Sequence, residues 1–487
     1  MTASKLMFQG TGSDVGKSLI VAGVCRHLAN QGMNVLPFKP QNMSNNAAVT
    51  VDGGEIGRAQ ALQALACRAD PIVDMNPVLL KPQSEIGAQI VVHGKMRGSM
   101  KAREYQMRKQ ELLPDVLASF ERLKQQADIV VVEGAGSASE VNLRAGDIAN
   151  MGFAVAASVP TILIGDIDRG GVIASLVGTY QIVPDSDRSL IKGYLINKFR
   201  GDVSLFDSGL DFITNATGIS SVGVVPFFPD ASKLPAEDAM ALASRATKQS
   251  GDIKIVIPQL SRIQNFDDFD PLEQEPDVQL DIVEPGRALP GDADLIILPG
   301  SKATIADLVF FREQGWDIDL AAHVRRGGQV LGICAGFQML GTQVTDPNGI
   351  EGNTKEIDGL GYLNTETELT GSKTLLYAKG HDCLYNEPLS GYEMHIGNTS
   401  GSDMSRPFLE MNSIAEGAIS SDGKIMACYV HGLFASDEFR ASFLNGIKNR
   451  DTSGLAFEQT VDQTLDALAG HLARHLDMDA LLKIANS

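Results

Sequence analysis

The first half of the chain alternates short apolar runs with longer stretches of mixed polarity. The apolar runs are continuous, and each ends in glycine or polar residues; they occupy 129–136, 159–171, 191–199 and 219–228. A continuous run rich in valine and isoleucine is typical of a strand that is covered on both faces, and therefore of a parallel sheet. Ligands of such sheets bind beyond the carboxyl ends of the strands, where Glu133 and Asn197 fall in this sequence.

A second series of the same kind follows. After a polar stretch at 236–252, which predicts a helix leading into a linker, an apolar run at 253–260 predicts the first strand of another unit. Residues 294–304 and 327–341 then each have the pattern of a strand, a sharp loop and a helix. Near the end of the chain, leucines recur on one helical face; they are Leu465, Leu468, Leu472 and Leu476. Their spacing predicts a C-terminal helix that docks on the body of the protein.

These patterns predict an α/β protein with two doubly wound, mostly parallel-sheet domains. We expect the first domain at 1–245, the second at 252–440 and a helical tail at 441–487. A length of 487 residues and a hydrophobic content of 44% are sufficient for more than one core.

The composition disfavours several classes of protein. A net charge of −19 disfavours binding to nucleic acid or to a membrane surface, since both partners would repel an acidic chain. The five cysteines form no CxxC pair, which disfavours a disulfide framework or a structural zinc site. The longest apolar stretch, 153–164, contains Pro160 and is too short to span a bilayer, and no signal-peptide pattern precedes it. We therefore expect a soluble cytoplasmic protein, and the sequence leaves its oligomeric state open.

The nonapeptide GTGSDVGKS follows a short apolar run and precedes an apolar helical segment. Glycines let several backbone N–H groups point at one anion, and the helix N-terminus adds its positive dipole. The pattern predicts a phosphate-binding loop, with Lys17 reaching the outer phosphates and Ser18 holding a magnesium ion. The candidate nucleotide-binding residues of the loop are Gly10, Thr11, Gly16, Lys17 and Ser18. The alternative is a helix-opening turn that binds no nucleotide.

In the second half, the segment VLGICAGFQMLG places Cys334 at the turn between a predicted strand and a predicted helix. A nucleophile at such an elbow is exposed, and the next backbone N–H, that of Ala335, can face a developing oxyanion. The loop at 298–301, which contains Gly300, offers further backbone donors. His431 follows another apolar strand and is the candidate base. The alternatives are a buried, inert cysteine and a structural histidine.

With the cysteine elbow and the histidine in place, the second domain resembles the class I, triad-type glutamine amidotransferases. The resemblance implies that the cysteine attacks the side-chain amide of glutamine and that the histidine carries the proton that releases ammonia. Most members have a glutamate two residues after the histidine, where this chain has Leu433. A Cys334–His431 dyad is therefore implied, with an orienting group from elsewhere, for which Glu393 and Asp437 are candidates. His395 is a rival base.

The first domain resembles the dethiobiotin-synthetase-like P-loop proteins, which activate a carboxylate by phosphorylation. The motifs that carry the resemblance are GTGSDVGKS, FKPQNM and VVEGAGS. By this resemblance Glu133 shares magnesium with Ser18, and Lys39 steadies phosphate or substrate carboxylate. Asn197 is implied to contact the adenine edge, and Glu55 is a candidate for a further metal ligand.

Longer strings span both domains, among them FKPQNMSNNA, EIGRAQALQA, VVEGAGSASEVNL, DIDRGG, NFDDFDPL and GYEMHIGNTS. Together they resemble the cobyric acid synthase family over nearly the whole chain. The resemblance implies amidation of the b, d, e and g carboxylates of adenosylcobyrinic acid a,c-diamide, a corrinoid. Glutamine would supply the nitrogen, and ATP and Mg²⁺ would be required without a prosthetic group. The substrate carboxylates call for local positive charge, for which Arg58, Lys81, Arg144 and Arg169 are candidates.

Three alternatives share part of these motifs. The sister enzyme that amidates the a and c carboxylates of cobyrinic acid has both domain types. A CTP-synthase-like ligase has the same domain order but is expected to keep the glutamate at the position of Leu433. A non-catalytic P-loop protein of the partition type, with a decayed amidotransferase half, is disfavoured by the presence of Cys334 and His431 and by the absence of an extra loop lysine.

Overall fold

The computed structural model describes residues 3–84, 87–236 and 250–487. Two compact units divide the chain: Met1–Pro235 together with Val461–Ser487 form the first, and Ala236–Thr460 form the second. This division differs from the expected tail at 441–487, because the last part of the chain belongs to the first unit. Most of the stretch at 236–252, for which the sequence predicts a helix, lies outside the described residues.

The first unit is built on a six-stranded, entirely parallel sheet. The strands of this unit are β1 (Ser4–Gly10), β2 (Val35–Phe38), β3 (Gln41–Met43), β4 (Ala47–Val49), β5 (Glu55–Gly57), β6 (Val78–Ser84), β7 (Gly87–Val92), β8 (Lys95–Lys101), β9 (Ile129–Glu133), β10 (Thr161–Asp166), β11 (Ile191–Phe199) and β12 (Ser220–Pro226). The parallel sheet has the order β12-β11-β10-β1-β9-β2. Strand β9, with the sequence IVVVE, is buried along its whole length, as its continuous apolar run predicts.

Helices follow most of these strands and cover the sheet. They are α1 (Lys17–Asn30), α2 (Arg58–Ala66), α3 (Ala102–Arg108), α4 (Leu113–Lys124), α5 (Met151–Ala157), α6 (Val172–Ile182), α7 (Asp185–Arg188) and α8 (Asp207–Thr217). The register pairs Phe8 of β1 with Glu133 of β9, and Asp166 of β10 with Asn197 of β11. Polar side chains from neighbouring strands therefore meet at the carboxyl edge of the sheet, beside the loop that follows β1.

A second, smaller sheet in this unit is absent from the sequence expectations. It has the order β3-β6-β7-β8, in which β3 and β6 are parallel and the pairs β6–β7 and β7–β8 are antiparallel. Strands β4 and β5 pair separately as an antiparallel hairpin. Its apolar residues Val78, Leu80, Ile90 and Val92 join the same core as the central sheet. The small sheet thus extends the region that follows β2 without a core of its own.

The second unit repeats the parallel arrangement and adds a long antiparallel ribbon. Its strands are β13 (Ile253–Pro258), β14 (Ile263–Gln264), β15 (Val278–Val283), β16 (Leu295–Leu298), β17 (Gly300–Ser301), β18 (Gln329–Ile333), β19 (Gln343–Thr345), β20 (Glu356–Asp358), β21 (Thr365–Asp382), β22 (Pro388–Gly401), β23 (Leu409–Met411), β24 (Ile414–Glu416), β25 (Ala418–Ile419), β26 (Ile425–Cys428) and β27 (Val430–His431). Its helices are α9 (Asp270–Gln274), α10 (Thr304–Glu313), α11 (Trp316–Arg325), α12 (Ala335–Leu340) and α13 (Asp437–Ile447).

The main sheet of this unit has the order β15-β13-β16-β18-β26-β25, and only β25 runs antiparallel to its neighbour. A second sheet, β20-β19-β21-β22-β27, is dominated by the antiparallel pair β21 and β22. Through β22 it reaches β27, where Tyr392 is the register partner of His431. Both candidate catalytic residues therefore follow or end strands of this unit: Cys334 follows β18, and His431 ends β27.

The chain ends in α14 (Phe457–His475) and α15 (Met478–Ala485). The leucine stripe that the sequence predicts is buried, and Leu468 and Leu472 face Gly23 of α1 so closely that a Cβ there would lie 2.5 Å from Leu472 Cδ1. Buried Arg26 of α1 pairs with Asp462 at the start of this contact. Among the described residues, no helix has both the length and the apolar character needed to cross a membrane.

Candidate active sites

The glycine loop lies between β1 and α1, the position that the sequence predicts. Gly16 has a φ of 90°, in the left-handed region that favours glycine. A Cβ at Gly10 would lie 2.7 Å from the carbonyl oxygen of Gly12, so the chain folds tightly where an anion would be cradled. The Lys17 ammonium turns back over the loop and donates to the carbonyl oxygens of Gly136 at 2.8 Å and Gly12 at 3.2 Å. An arriving phosphate would replace these carbonyls with a stronger partner.

The far side of the loop is braced by β10 and β11. The Thr11 backbone N–H donates to a carbonyl of β10 at 3.0 Å. The Asn197 amide nitrogen donates to the Val15 carbonyl at 2.8 Å, and the Lys198 ammonium donates to the Asp14 carbonyl at 2.5 Å. Asn197 therefore has a structural role in holding the loop, and its contact with an adenine edge stays a prediction.

On the other side of the loop, the Glu133 carboxylate is completely buried and collects three donors. Its Oε1 accepts from the Ser18 hydroxyl at 2.8 Å and from the Lys39 ammonium at 2.9 Å. Its Oε2 accepts from the Gln63 amide nitrogen at 2.5 Å. The structure thus brings together Ser18, Lys39 and Glu133, which the sequence singled out, and adds Gln63 of α2, which it did not. Gln63 lies in the quoted string EIGRAQALQA, but nothing in that string distinguishes it from a helix-surface glutamine.

This donor set fits a magnesium ion that arrives with a nucleotide. Magnesium prefers oxygen ligands and typically binds one or two carboxylates, substrate phosphates and several waters. Ser18 and Glu133 offer one hydroxyl and one carboxylate in contact with each other, next to the glycine loop. In the described part of the chain, no group of three or more histidine, cysteine, aspartate or glutamate side chains is placed to hold a metal by itself.

The other charged candidates contact groups of the protein itself. Glu55, considered as a metal ligand, pairs with Lys81, and both side chains are buried. Arg144 forms a bidentate pair with Asp187. The Arg58 guanidinium donates to the carbonyl of Ala47 at 3.0 Å. Of the basic residues expected to meet substrate carboxylates, Arg169 is the exposed one, and it lies 3.6 Å from Asp14 of the glycine loop.

In the second unit, Cys334 occupies the predicted elbow between β18 and α12. Its backbone has φ 56° and ψ −107°, which is a strained conformation for a residue with a side chain. A Cβ at Gly332 would lie 2.7 Å from the backbone of Gly336, and one at Gly336 would lie 2.1 Å from the carbonyl oxygen of Leu298. Glycines on both sides are therefore required by close backbone approach, as expected for a nucleophile held at a sharp turn.

His431 completes a triad with an aspartate that the sequence analysis did not identify. Its Nδ1 lies 2.7 Å from Asp268 Oδ2, and the Gly432 backbone N–H donates to the other carboxylate oxygen at 2.7 Å. Among the residues that the structure describes, buried Nε2 of His431 makes no hydrogen bond of normal geometry. Cys334 is close enough to raise the pKa of the imidazole. Cys334, His431 and Asp268 are therefore the candidates for nucleophile, base and orienting carboxylate.

Both expected orienting groups are wrong. Glu393 contacts His395 at 3.3 Å, and His395 in turn stacks on the ring of Tyr429. Asp437 is the first residue of α13 and accepts a hydrogen bond from the Arg440 guanidinium at 2.8 Å. Asp268 lies 163 positions before His431, in the string NFDDFDPL, where three aspartates look alike to sequence reasoning.

The Asp268 carboxylate controls the charge of the histidine. Burial by itself lowers the pKa of His431, but the attraction and hydrogen bond of Asp268 outweigh it, with a smaller contribution from Cys334, and raise the pKa to about 10. At neutral pH the ring therefore carries a proton that it can donate to a leaving nitrogen.

The two predicted oxyanion segments lie next to Cys334 in the structure. A Cβ at Gly300 would lie 3.0 Å from His431 Cε1 and 3.8 Å from Cys334 Cβ, so the backbone of β17 lies against both residues. Ala335 is the first residue of α12, so its N–H is one of the donors that a helix leaves without an internal partner. Gly300 and Ala335 stay the predicted oxyanion donors.

Two family models match consecutive parts of the chain. Residues 6–241 match the CobQ/CobB/MinD/ParA nucleotide binding domain, and residues 254–439 match the CobB/CobQ-like glutamine amidotransferase domain. A solved glutamine amidotransferase is 15% identical and covers 40% of this chain and 97% of its own, with a TM-score of 0.31, which is too low to support an argument.

Curated relatives match from end to end. The cobyric acid synthase of Methylobacterium nodulans is 57% identical over 488 residues, which is 100% of each chain. The cobyric acid synthases of Brucella suis and Methylocella silvestris are 55% and 57% identical, and each match covers 99% of this chain and 100% of the relative.

Gly336→Ala tests the close approach behind the elbow. The added methyl group would meet the backbone carbonyl of Leu298 at 2.1 Å, and backbone cannot move aside as a side-chain end can. We expect a loss of about 1–3 kcal/mol in the free energy of unfolding, measured by urea denaturation. Gly371→Ala is the matched control, because nothing lies within 4 Å of its Cβ position. Equal stability of the two variants would contradict the role of Gly336.

Asp268→Asn tests the charge of His431. A raised histidine pKa stabilises the fold fully below the unfolded value of about 6.5, and this stability is lost as pH rises through the folded value of about 10. The stability difference between wild type and variant should therefore be largest near pH ~6 and shrink towards pH ~10, measured by denaturant unfolding across that range. Glu393→Gln, which alters the partner of His395, is the control and should show no such trend; a pH-independent difference for Asp268→Asn would count against the pairing.

Proposed function

Because this chain belongs to the cobyric acid synthase family, we propose that it amidates the b, d, e and g carboxylates of adenosylcobyrinic acid a,c-diamide to give adenosylcobyric acid. It is a carbon–nitrogen ligase of the glutamine-dependent amidotransferase type. Glutamine supplies each nitrogen, and one ATP is consumed for each amide formed. The observation that carries the proposal is that one chain contains both candidate sites. A phosphate loop lies beside buried Glu133, and Cys334, His431 and Asp268 form the candidate triad. The relatives match this chain from end to end.

The first unit would activate the substrate carboxylate. A carboxylate is a poor acyl donor, so transfer of the terminal phosphoryl group of ATP to its oxygen, with release of ADP, creates an acyl phosphate. Lys17 and the loop N–H groups would bind the phosphates, and Lys39 would steady the incoming carboxylate or the transferring group. Ser18 and Glu133 would hold Mg²⁺, whose contribution is to neutralise charge on the phosphoryl oxygens.

The second unit would produce ammonia. The Cys334 sulfur attacks the side-chain amide carbon of glutamine, and the carbonyl oxygen gains negative charge that the N–H groups of Gly300 and Ala335 can stabilise. His431 donates its proton to the amide nitrogen, which leaves as ammonia with formation of a glutamyl thioester. Water then cleaves the thioester as His431 accepts a proton, and Asp268 keeps the ring oriented throughout. Ammonia displaces phosphate from the acyl phosphate to give the amide.

The intact triad disfavours the reading as a non-catalytic partition-type protein. The strained backbone of Cys334 costs folding free energy, and a sheet does not need it to hold together. The sister reaction, on the a and c carboxylates of cobyrinic acid, uses the same chemistry and differs from the proposed reaction in its substrate.

Mass spectrometry of the product tests the proposal. The full chain is incubated with ATP, Mg²⁺, glutamine and adenosylcobyrinic acid a,c-diamide, and in parallel with cobyrinic acid. A ladder of amidations on the diamide is expected. Amidation of cobyrinic acid alone would instead assign the sister reaction, and amidation of neither would overturn the corrinoid assignment.

Cys334→Ala assigns the source of nitrogen. The variant lacks the sulfur that forms the thioester, so we expect glutamine-dependent amidation to fall by at least ~10³-fold. Amidation with ammonium salts should stay within about twofold of wild type, because the phosphate loop is unchanged. Cys383→Ala, which removes an exposed thiol of the same unit, is the matched control. If Cys334→Ala still used glutamine, ammonia release would have to be assigned to another group.

A further inference from the structure

The contacts of Gln63 point to a role at the cation site that neither the sequence nor the comparisons assign. The side chain projects from α2 into the interior and is completely buried. Its amide nitrogen donates to Glu133 Oε2 at 2.5 Å and lies 3.4 Å from the backbone carbonyl of Ser18. One amide group therefore contacts both residues that we propose as magnesium ligands.

The two oxygens of Glu133 are held by different means. Oε1 is shared between the Ser18 hydroxyl and the Lys39 ammonium, whereas Oε2 is contacted by Gln63. Gln63 is therefore the donor that holds the second oxygen of this carboxylate. A hydrogen bond to an ionised acceptor is stronger than one between neutral groups, so this contact is well suited to fix an orientation.

The amide oxygen of Gln63 is buried and has no hydrogen-bond partner within the described parts of the chain. The orientation of the amide is determined by its surroundings, because the opposite orientation would place the amide oxygen against the Glu133 carboxylate. A buried acceptor without a donor costs free energy, and a group that arrives with a ligand can relieve that cost. Magnesium keeps several waters when it binds with a nucleotide, and metal-bound water is a donor of the required kind.

We propose that Gln63 is a positioning residue of the magnesium site, an inference that rests on the proposed function of the phosphate loop. Its amide nitrogen fixes the Glu133 carboxylate for the cation, and its amide oxygen accepts a hydrogen bond from a water that arrives with the metal–nucleotide complex. Such partners of metal ligands orient the ligands and commonly change metal affinity by about 10- to 100-fold when removed.

A neighbouring glutamine provides a matched control. Gln60 lies one helical turn earlier on α2 and is also completely buried. Its Nε2 likewise has no hydrogen-bond partner among residues 3–84, 87–236 and 250–487. Its amide oxygen accepts from Asn42 at 3.0 Å. Replacement by methionine thus removes a buried carboxamide from the same helix in both cases, but only Gln63→Met removes a contact with Glu133.

The experiment measures ATP binding to the full chain by titration calorimetry, once with saturating Mg²⁺ and once with EDTA. Gln63→Met should weaken binding of Mg–ATP by about 10-fold or more and binding of metal-free ATP by less than about twofold. Gln60→Met should leave the ratio of the two affinities at its wild-type value. Equal weakening of both forms by Gln63→Met would mean a merely structural role and would overturn the proposal.

Two further variants keep the test decisive. Gln63→Asn retains an amide but is one methylene shorter, so it should lose the same magnesium preference with the fold preserved, as checked by circular dichroism. In a Glu133→Gln background, Gln63→Met should add little, since its effect passes through that carboxylate; an undiminished effect would sink the positioning role. If wild type bound ATP with no preference for magnesium, the cation site of the proposed function would fall, and this inference with it.

Discussion

Each candidate site is organised around a carboxylate that is taken out of water. Glu133 and Asp268 are 0% and 3% exposed, and an ionised carboxylate at such depth is stable only when it is paired and hydrogen-bonded. Glu133 meets this requirement with donors from three separate segments, and Asp268 meets it with an imidazole and a backbone N–H. The need to satisfy one buried charge therefore fixes the loops around it, and the same contacts position the candidate catalytic and metal-binding groups.

The parts of the structure that sequence reasoning predicted correctly are those set by local pattern. The run IVVVE is a buried parallel strand because valine and isoleucine leave no face for water. Nearby glycines likewise predict the loop before Lys17 and the elbow at Cys334, since the close backbone approach at these turns permits no other residue. The two α/β units follow from repetition of such patterns. These features depend on residues within one turn or one strand of each other.

Sequence reasoning missed the pairings between segments that are distant along the chain. Asp268 reaches His431 across 163 positions, and Gln63 reaches Glu133 across 70. Glu393 was a reasonable candidate because it is acidic and nearer in sequence, but its strand directs it to His395. The antiparallel sheet of β6, β7 and β8 was missed because its residues mix polar and apolar types without the continuous run of a doubly covered strand. A local sequence pattern therefore identifies a helix, strand or turn, but not the distant residue that contacts it in the folded protein.

The backbone of Cys334 links these points to function. A non-glycine residue at φ 56° and ψ −107° costs on the order of 1–3 kcal/mol, and it persists only where the surroundings over-determine it. Here the surroundings include two glycines in close backbone contact, and Cys334 also raises the pKa of His431. A cysteine that merely filled the core would be relieved of this strain by any relaxation of the turn. Strain that is retained beside a histidine oriented by Asp268 is what the proposed nucleophile requires, and it supports the proposal that Cys334 releases ammonia.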